Sequence, residues 1–143
     1  MEGSYIIYSD MRDNLLYTME MSRRARGIEL WATLKSLGKN GVKLLVDNLH
    51  EKTEYFSEQL KDNGFHILND VCFNQINVYV GDNNITQSIL QTIQQSGVCW
   101  CGGANRFGKS FIRISVCSYK TTYNDIDMSV KAFVEARNSV CNS

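Results

Sequence analysis

A chain of 143 residues whose fifteen basic and fifteen acidic side chains cancel has no net field with which to capture nucleic acid or an anionic membrane. No apolar run approaches the length that crosses a bilayer, and the opening MEGSYIIYSD lacks the basic start and long apolar centre of a secretion signal. The expectation is a cytoplasmic protein of one domain's size, large enough to bury a modest core, with no nucleic-acid or membrane partner.

Residues 1–21 hold a short strand-like run, Tyr5 to Tyr8, and then a polar passage, which predicts a lead-in segment with no core of its own. Ser22 can cap a helix with its hydroxyl, and Ile28, Trp31, Leu34 and Leu37 then recur at helical spacing, predicting a helix over Arg23 to Leu37. A longer stripe follows: Val42, Leu45, Val46, Leu49, Thr53, Phe56 and Leu60, before Asn63-Gly64 supplies a left-handed stop. The two helices are expected to meet at a bend near Gly38 to Gly41. Arg23, Arg24 and Arg26 crowd the start of the first, where the helix dipole disfavours cations. Either they form a solvated basic turn, or one or two of them reach acids or phosphate elsewhere.

After Gly64 the period changes to two. Phe65 to Leu68 predicts a short strand, and Ile76, Val78 and Val80 a second. Gly81-Asp82-Asn83-Asn84 breaks the second strand, and Ile85, Ile89, Leu90 and Ile93 form a helical stripe ending at Ser96-Gly97. Two further strands are expected between Cys99 and Thr122, joined through Gly102 to Gly108. Thr122 and Asp125 then resemble a capping box, and Ile126, Val130, Phe133 and Val134 bury one face of a last helix, with Asn138 to Ser143 expected to fray. The fold class is α+β: a small mixed or antiparallel sheet covered by helices and preceded by two long helices. The expected division is a lead-in over 1–21, linking helices over 22–63 and a small domain over 64–143.

The run from Cys99 to Thr122 holds one arginine in an unusual place. Ile112, Ile114 and Val116 alternate with Phe111, Arg113 and Ser115, so Arg113 points away from the isoleucines. A guanidinium fixed on the back of a short strand is a pre-set fork of donors for a carboxylate or phosphate; the alternative is an arginine lying flat on a solvated face. The five cysteines, Cys72, Cys99, Cys101, Cys117 and Cys141, do not resemble a secreted disulfide framework. Cys99-Trp100-Cys101 lacks the second pair that zinc wants, and His50 and His66 sit in no ligand-like spacing, so no metal is expected and the thiols should pack as small apolar groups.

Three segments together, SRRARGIELWATLKSLGKNG, FHILNDVCFNQINVYV and CWCGGANRFGKSFIRISVCSYKTTYNDID, resemble the carboxy-terminal part of the group II pyridoxal-phosphate-dependent amino-acid decarboxylases, which have the aspartate aminotransferase fold. The resemblance runs from about Ser4 to Val134, with the motifs in the family's order. It implies that 23–38 is the helix leaving a large cofactor domain and that 65–134 is the small domain beside the active-site cleft. It further implies that Arg113, in its Phe-Ile-Arg-Ile-Ser context, can meet the carboxylate of an amino-acid substrate. Arg23 and Arg24 would lie near the cofactor cleft in supporting roles. Trp100, Gly102 and Gly103 match a family loop.

The family's cofactor lysine follows a histidine in the large domain, and an upstream aspartate pairs with the pyridine nitrogen. Neither motif occurs here: His50 is followed by Glu51 and His66 by Ile67. The resemblance therefore implies a carboxy-terminal piece of a decarboxylase, from a truncated or split reading frame. Pyridoxal phosphate would belong to the intact enzyme, no cofactor would be held covalently by this chain, and a missing large domain or a homodimer partner would complete it. Two alternatives stay open: a fragment of a related aminotransferase, and a free-standing module that binds a carboxylate or amino acid. On its own the chain should expose apolar surface meant for the large domain.

Overall fold

The structure, a computed structural model, describes Tyr17 and residues 24–141. The expected strand at Tyr5 to Tyr8, the Ser22 cap and Arg23 lie outside the described residues. The chain divides into two compact units after Gly38.

Helix α1 (Gly27–Asp62) begins four residues later than the periodicity suggests and is broken at Gly38, whose backbone is non-helical (φ 60°, ψ −177°). The expected junction of two helices is therefore there, at its first glycine. Before the break the stripe does not meet a core: Ile28 and Trp31 are each 65% exposed, Leu34 47% and Leu37 40%.

In the second unit α1 turns its Leu49, Phe56 and Leu60 inward. It ends as Asn63-Gly64 predicts. Gly64, at φ 80°, donates its amide to the Lys61 carbonyl, and Phe65 donates to Leu60, the paired bonds of a Schellman stop. The stop drops Phe65 into the core, where its ring meets Phe133 edge-on at 5.8 Å.

Four strands follow, β1 (His66–Ile67), β2 (Gln75–Tyr79), β3 (Gly102–Arg106) and β4 (Lys109–Ser115), with helix α2 (Asn83–Ser96) between the second and third and α3 (Tyr123–Cys141) at the end. All pairings are antiparallel, in the order β1-β2-β4-β3. This is the expected α+β arrangement. Ile76, Val78, Ile112 and Ile114 point from the central strands into a core completed by Ile89 and Ile93 of α2 and Ile126, Val130 and Phe133 of α3.

Caps fix the helix starts. Asp82 accepts from the amides of Asn84 and Ile85 at the head of α2. At α3, Thr122 Oγ1 accepts from the Asp125 amide at 3.2 Å while the Asp125 carboxylate accepts from the Thr122 amide at 2.8 Å, so aspartate closes the capping box in place of glutamate.

Two expectations need correction. The connection between β3 and β4 is shorter than Gly102 to Gly108: Gly102 and Gly103 are strand residues, and only Phe107 (φ 52°) and Gly108 (φ 76°) form the turn. Glycine at 103 allows a close approach, since a Cβ there would come 2.8 Å from Leu90 Cδ2 of α2, which would have to shift. The carboxy-terminal turn does not fray at Asn138; helix continues through Cys141, with Val140 packed against the core.

Candidate functional site

An antiparallel sheet can bury one face and leave the other to solvent, and here the strand register assigns every side chain to a face. Opposite the core, β4 presents Lys109, Phe111, Arg113 and Ser115; β2 presents Gln75, Asn77 and Tyr79; β3 presents Gly102, Ala104 and Arg106; β1 presents His66. Arg113 sits between Asn77 on one neighbouring strand and Gly102 on the other. A Cβ on Gly102 would meet nothing within 4 Å, so the space on that side of Arg113 is open.

Arg113 is exposed while Ile112 and Ile114 on either side are 0% and 6% exposed, which is the orientation the alternation predicts. Its guanidinium makes no hydrogen bond or ion pair among the described residues. Among the described residues, no aspartate or glutamate of the four strands shares the face. Lys109, at the hairpin end, holds its ammonium 5.7 Å from the Tyr79 ring centroid.

Asn77 does not stand out among the sequence candidates, and the structure makes it conspicuous. Its amide donates to Asn69 Oδ1 at 2.7 Å and its carbonyl accepts from the Leu68 amide at 2.9 Å. Both bonds point toward β1, so Asn77 and Arg113 form a non-hydrogen-bonded pair of the β2–β4 ladder, the narrow kind in which facing side chains lie closest. Asn77 Oδ1 is buried and has no hydrogen-bond partner. The signal available in the sequence is Asn77's place between Ile76 and Val78, one register step from the arginine strand.

Of the other sequence candidates, Arg24 is exposed in the first unit and pairs with Glu29. Trp100 is 79% exposed at the mouth of a pocket of about 390 Å3, on the core side of the sheet, floored by Phe56, Ile114, Ile126 and Phe133. Cys99 and Cys101 line this pocket. Burial pushes the Cys99 thiol up and that of Cys101 to about 12, with the neighbouring Cys99 adding to the second. Raised in this way, both thiols hold less of the reactive thiolate than a free cysteine does. Cys72, Cys117 and Cys141 are exposed, so packing as small apolar groups describes only part of the cysteine set. Among the described residues no three histidine, cysteine, aspartate or glutamate side chains gather as a metal site requires.

The Arg113 face fits one part of a pyridoxal-phosphate enzyme and not the rest. It offers a donor fork for a carboxylate. It has no acid to pair with a pyridine nitrogen, and its lysine is engaged with an aromatic ring.

In the solved structures, the 4-hydroxyphenylacetaldehyde synthase of Rhodiola rosea superposes with a TM-score of 0.77 at 19% identity, over 91% of this chain and 30% of that one. The fold is that of the carboxy-terminal region of fold-type I pyridoxal-phosphate enzymes. In sequence, the chain is 30% identical over 127 residues to the 3,4-dihydroxyphenylacetaldehyde synthase of Drosophila melanogaster, covering 85% of this chain and 24% of that protein. It is 31% identical over 134 residues to the histidine decarboxylase of Mus musculus, covering 90% and 20%. Its homologues are group II pyridoxal-phosphate-dependent decarboxylases, as the motifs imply, and it spans a fifth to a quarter of the length of these curated relatives. No protein-family model matches. No helix among the described residues is long and apolar enough to cross a membrane.

Proposed function

We propose that this chain supplies the carboxy-terminal part of a cytoplasmic pyridoxal-phosphate-dependent amino-acid carboxy-lyase, in which Arg113 binds the substrate carboxylate. The observation that supports the reading is a guanidinium with no partner among the described residues, on a sheet face to which the four strands bring no acid. A hydrogen bond to a charged group contributes about 1.5–3 kcal/mol, which orients a substrate and does not by itself break a carbon–carbon bond. The electron sink for decarboxylation is the cofactor. It belongs to a large domain, supplied by another segment or by a homodimer partner, and the chain alone is inactive. Residues 22–63 then act as linking helices and 64–143 as the small domain, with Arg24 and Arg23 supporting the cofactor cleft.

The same reading allows a transaminating relative, since a carboxylate grip serves either reaction. A free-standing amino-acid-binding module is the second reading, favoured by the openness of the Arg113 face in the chain itself. Two measurements separate them. Pyridoxal phosphate added to the purified chain and reduced with borohydride is expected to leave no stoichiometric lysine adduct; one modified lysine per chain would sink the inactive-fragment reading. Calorimetric titration with L-phenylalanine is expected to give weak binding that Arg113→Ala removes, and binding that survives the substitution would exclude Arg113 as the anchor. Tight binding, at micromolar concentration, would favour the free-standing module.

A further inference from the structure

The open sheet face contains two unsatisfied groups of opposite character, and they face each other. Arg113 brings N–H donors and no acceptor; Asn77 brings a buried carbonyl oxygen with no donor. They are register partners in the narrow pairing of β2 and β4. Several of the polar neighbours have bonds of their own. Gln75 Nε2 donates to Ser115 Oγ at 3.4 Å, the Tyr79 hydroxyl donates to the Gly81 carbonyl at 2.8 Å, and Asn69 is committed through both ends of its amide to Asp70, Gln75 and Asn77. Gly102, on the other side, has no side chain to offer.

From this we infer that Asn77 is the positioning residue for Arg113: a turn of the exposed arginine side chain brings one guanidinium N–H onto Asn77 Oδ1, which has no partner in the described conformer, and that bond sets the rest of the fork toward a carboxylate. The inference rests on the reading of Arg113 as a carboxylate contact and adds the group that aims it. A neutral acceptor suits the task. It fixes the guanidinium without neutralising it, whereas an acid at 77 would form a permanent ion pair and compete with the ligand. Asn77 is itself held rigid, because Asn69 and Leu68 secure its backbone on both the donor and the acceptor side.

The test follows Arg113 in the whole chain by nuclear magnetic resonance, its Nε–Hε signal assigned by its loss in Arg113→Lys. That proton is expected to exchange with water about tenfold more slowly than the one on exposed Arg26, the weight of one hydrogen bond. Asn77→Ala, and Asn77→Ser should the alanine variant fold poorly, are expected to erase the difference. Asn77→Asp is expected to keep the protection and yet weaken the response of Arg113 to added L-phenylalanine, a split that lost packing alone would not produce. Unchanged exchange at Arg113 in Asn77→Ala or Asn77→Ser overturns the inference while leaving the carboxylate reading intact, provided phenylalanine still shifts Arg113. If phenylalanine leaves the wild-type Arg113 signal unmoved, the carboxylate reading falls and the aiming role falls with it.

Discussion

The two faces of the sheet are built from the same strands at alternate positions and have opposite requirements. On the covered face, Ile76, Val78 and Ile112 are fully buried beneath the helices, and any change of volume there is felt by the core. On the open face, Arg113 is exposed and Asn77 and Tyr79 are half-buried, so a change there removes fewer contacts than one in the core. The difference teaches that the residues buried between them, and not the exposed ones, fix where the side chains of an open sheet face stand.

The sharpest way to break this division is from beneath. Ile112→Ala removes a fully buried side chain and is expected to destabilise the fold by about 2–5 kcal/mol in urea denaturation, with a small loss indicating that the sheet is not packed as described. Gly103→Ala probes the approach of α2 to β3. Its Cβ would press on the end of Leu90, a flexible side chain, and a cost of about 1–3 kcal/mol is expected. Thr122→Ala removes half of the capping box of α3 for about 1 kcal/mol.

That box also predicts an acid response. The amide and then the hydroxyl of Thr122 hold the Asp125 carboxyl below its usual range. A lowered folded-state value means the stabilisation is complete above the carboxyl's ordinary range and is lost as pH falls through the lowered one. Thr122→Ala should therefore shrink the acid-induced loss of stability, and an unchanged pH profile would detach the box from it. The smallest effect is expected on the open face: Arg113→Ala should change stability by no more than about 0.5 kcal/mol while removing carboxylate binding. Marked destabilisation would mean that the arginine holds the sheet together and the two faces are not separable in this way.

Much of this was legible in sequence because the periodicities are clean. Ile112-Arg113-Ile114 identifies both a strand and its exposed member, and Asn63-Gly64 marks the end of α1 because a left-handed residue must stand there. Other features depend on distant partners. Ile28, Trp31, Leu34 and Leu37 have the spacing of a buried stripe, yet they are exposed, since periodicity states which side of a helix is apolar and not what covers it. The pairing of Asn77 with Arg113 follows from a register that no local pattern specifies. The persistence of α3 past Asn138 depends on Val140 meeting the core, which is likewise a tertiary fact.

The strand order carries a consequence for association. The outermost strands are β1, two residues long, and β3, which opens with consecutive glycines and closes on Arg106. A two-residue edge is too short to template another chain, and a glycine-rich edge with a terminal cation pairs weakly. Among the described residues, the edges of the sheet thus disfavour growth by strand addition. The strand order makes face-to-face association, and not edge-to-edge growth, the mode open to the described sheet.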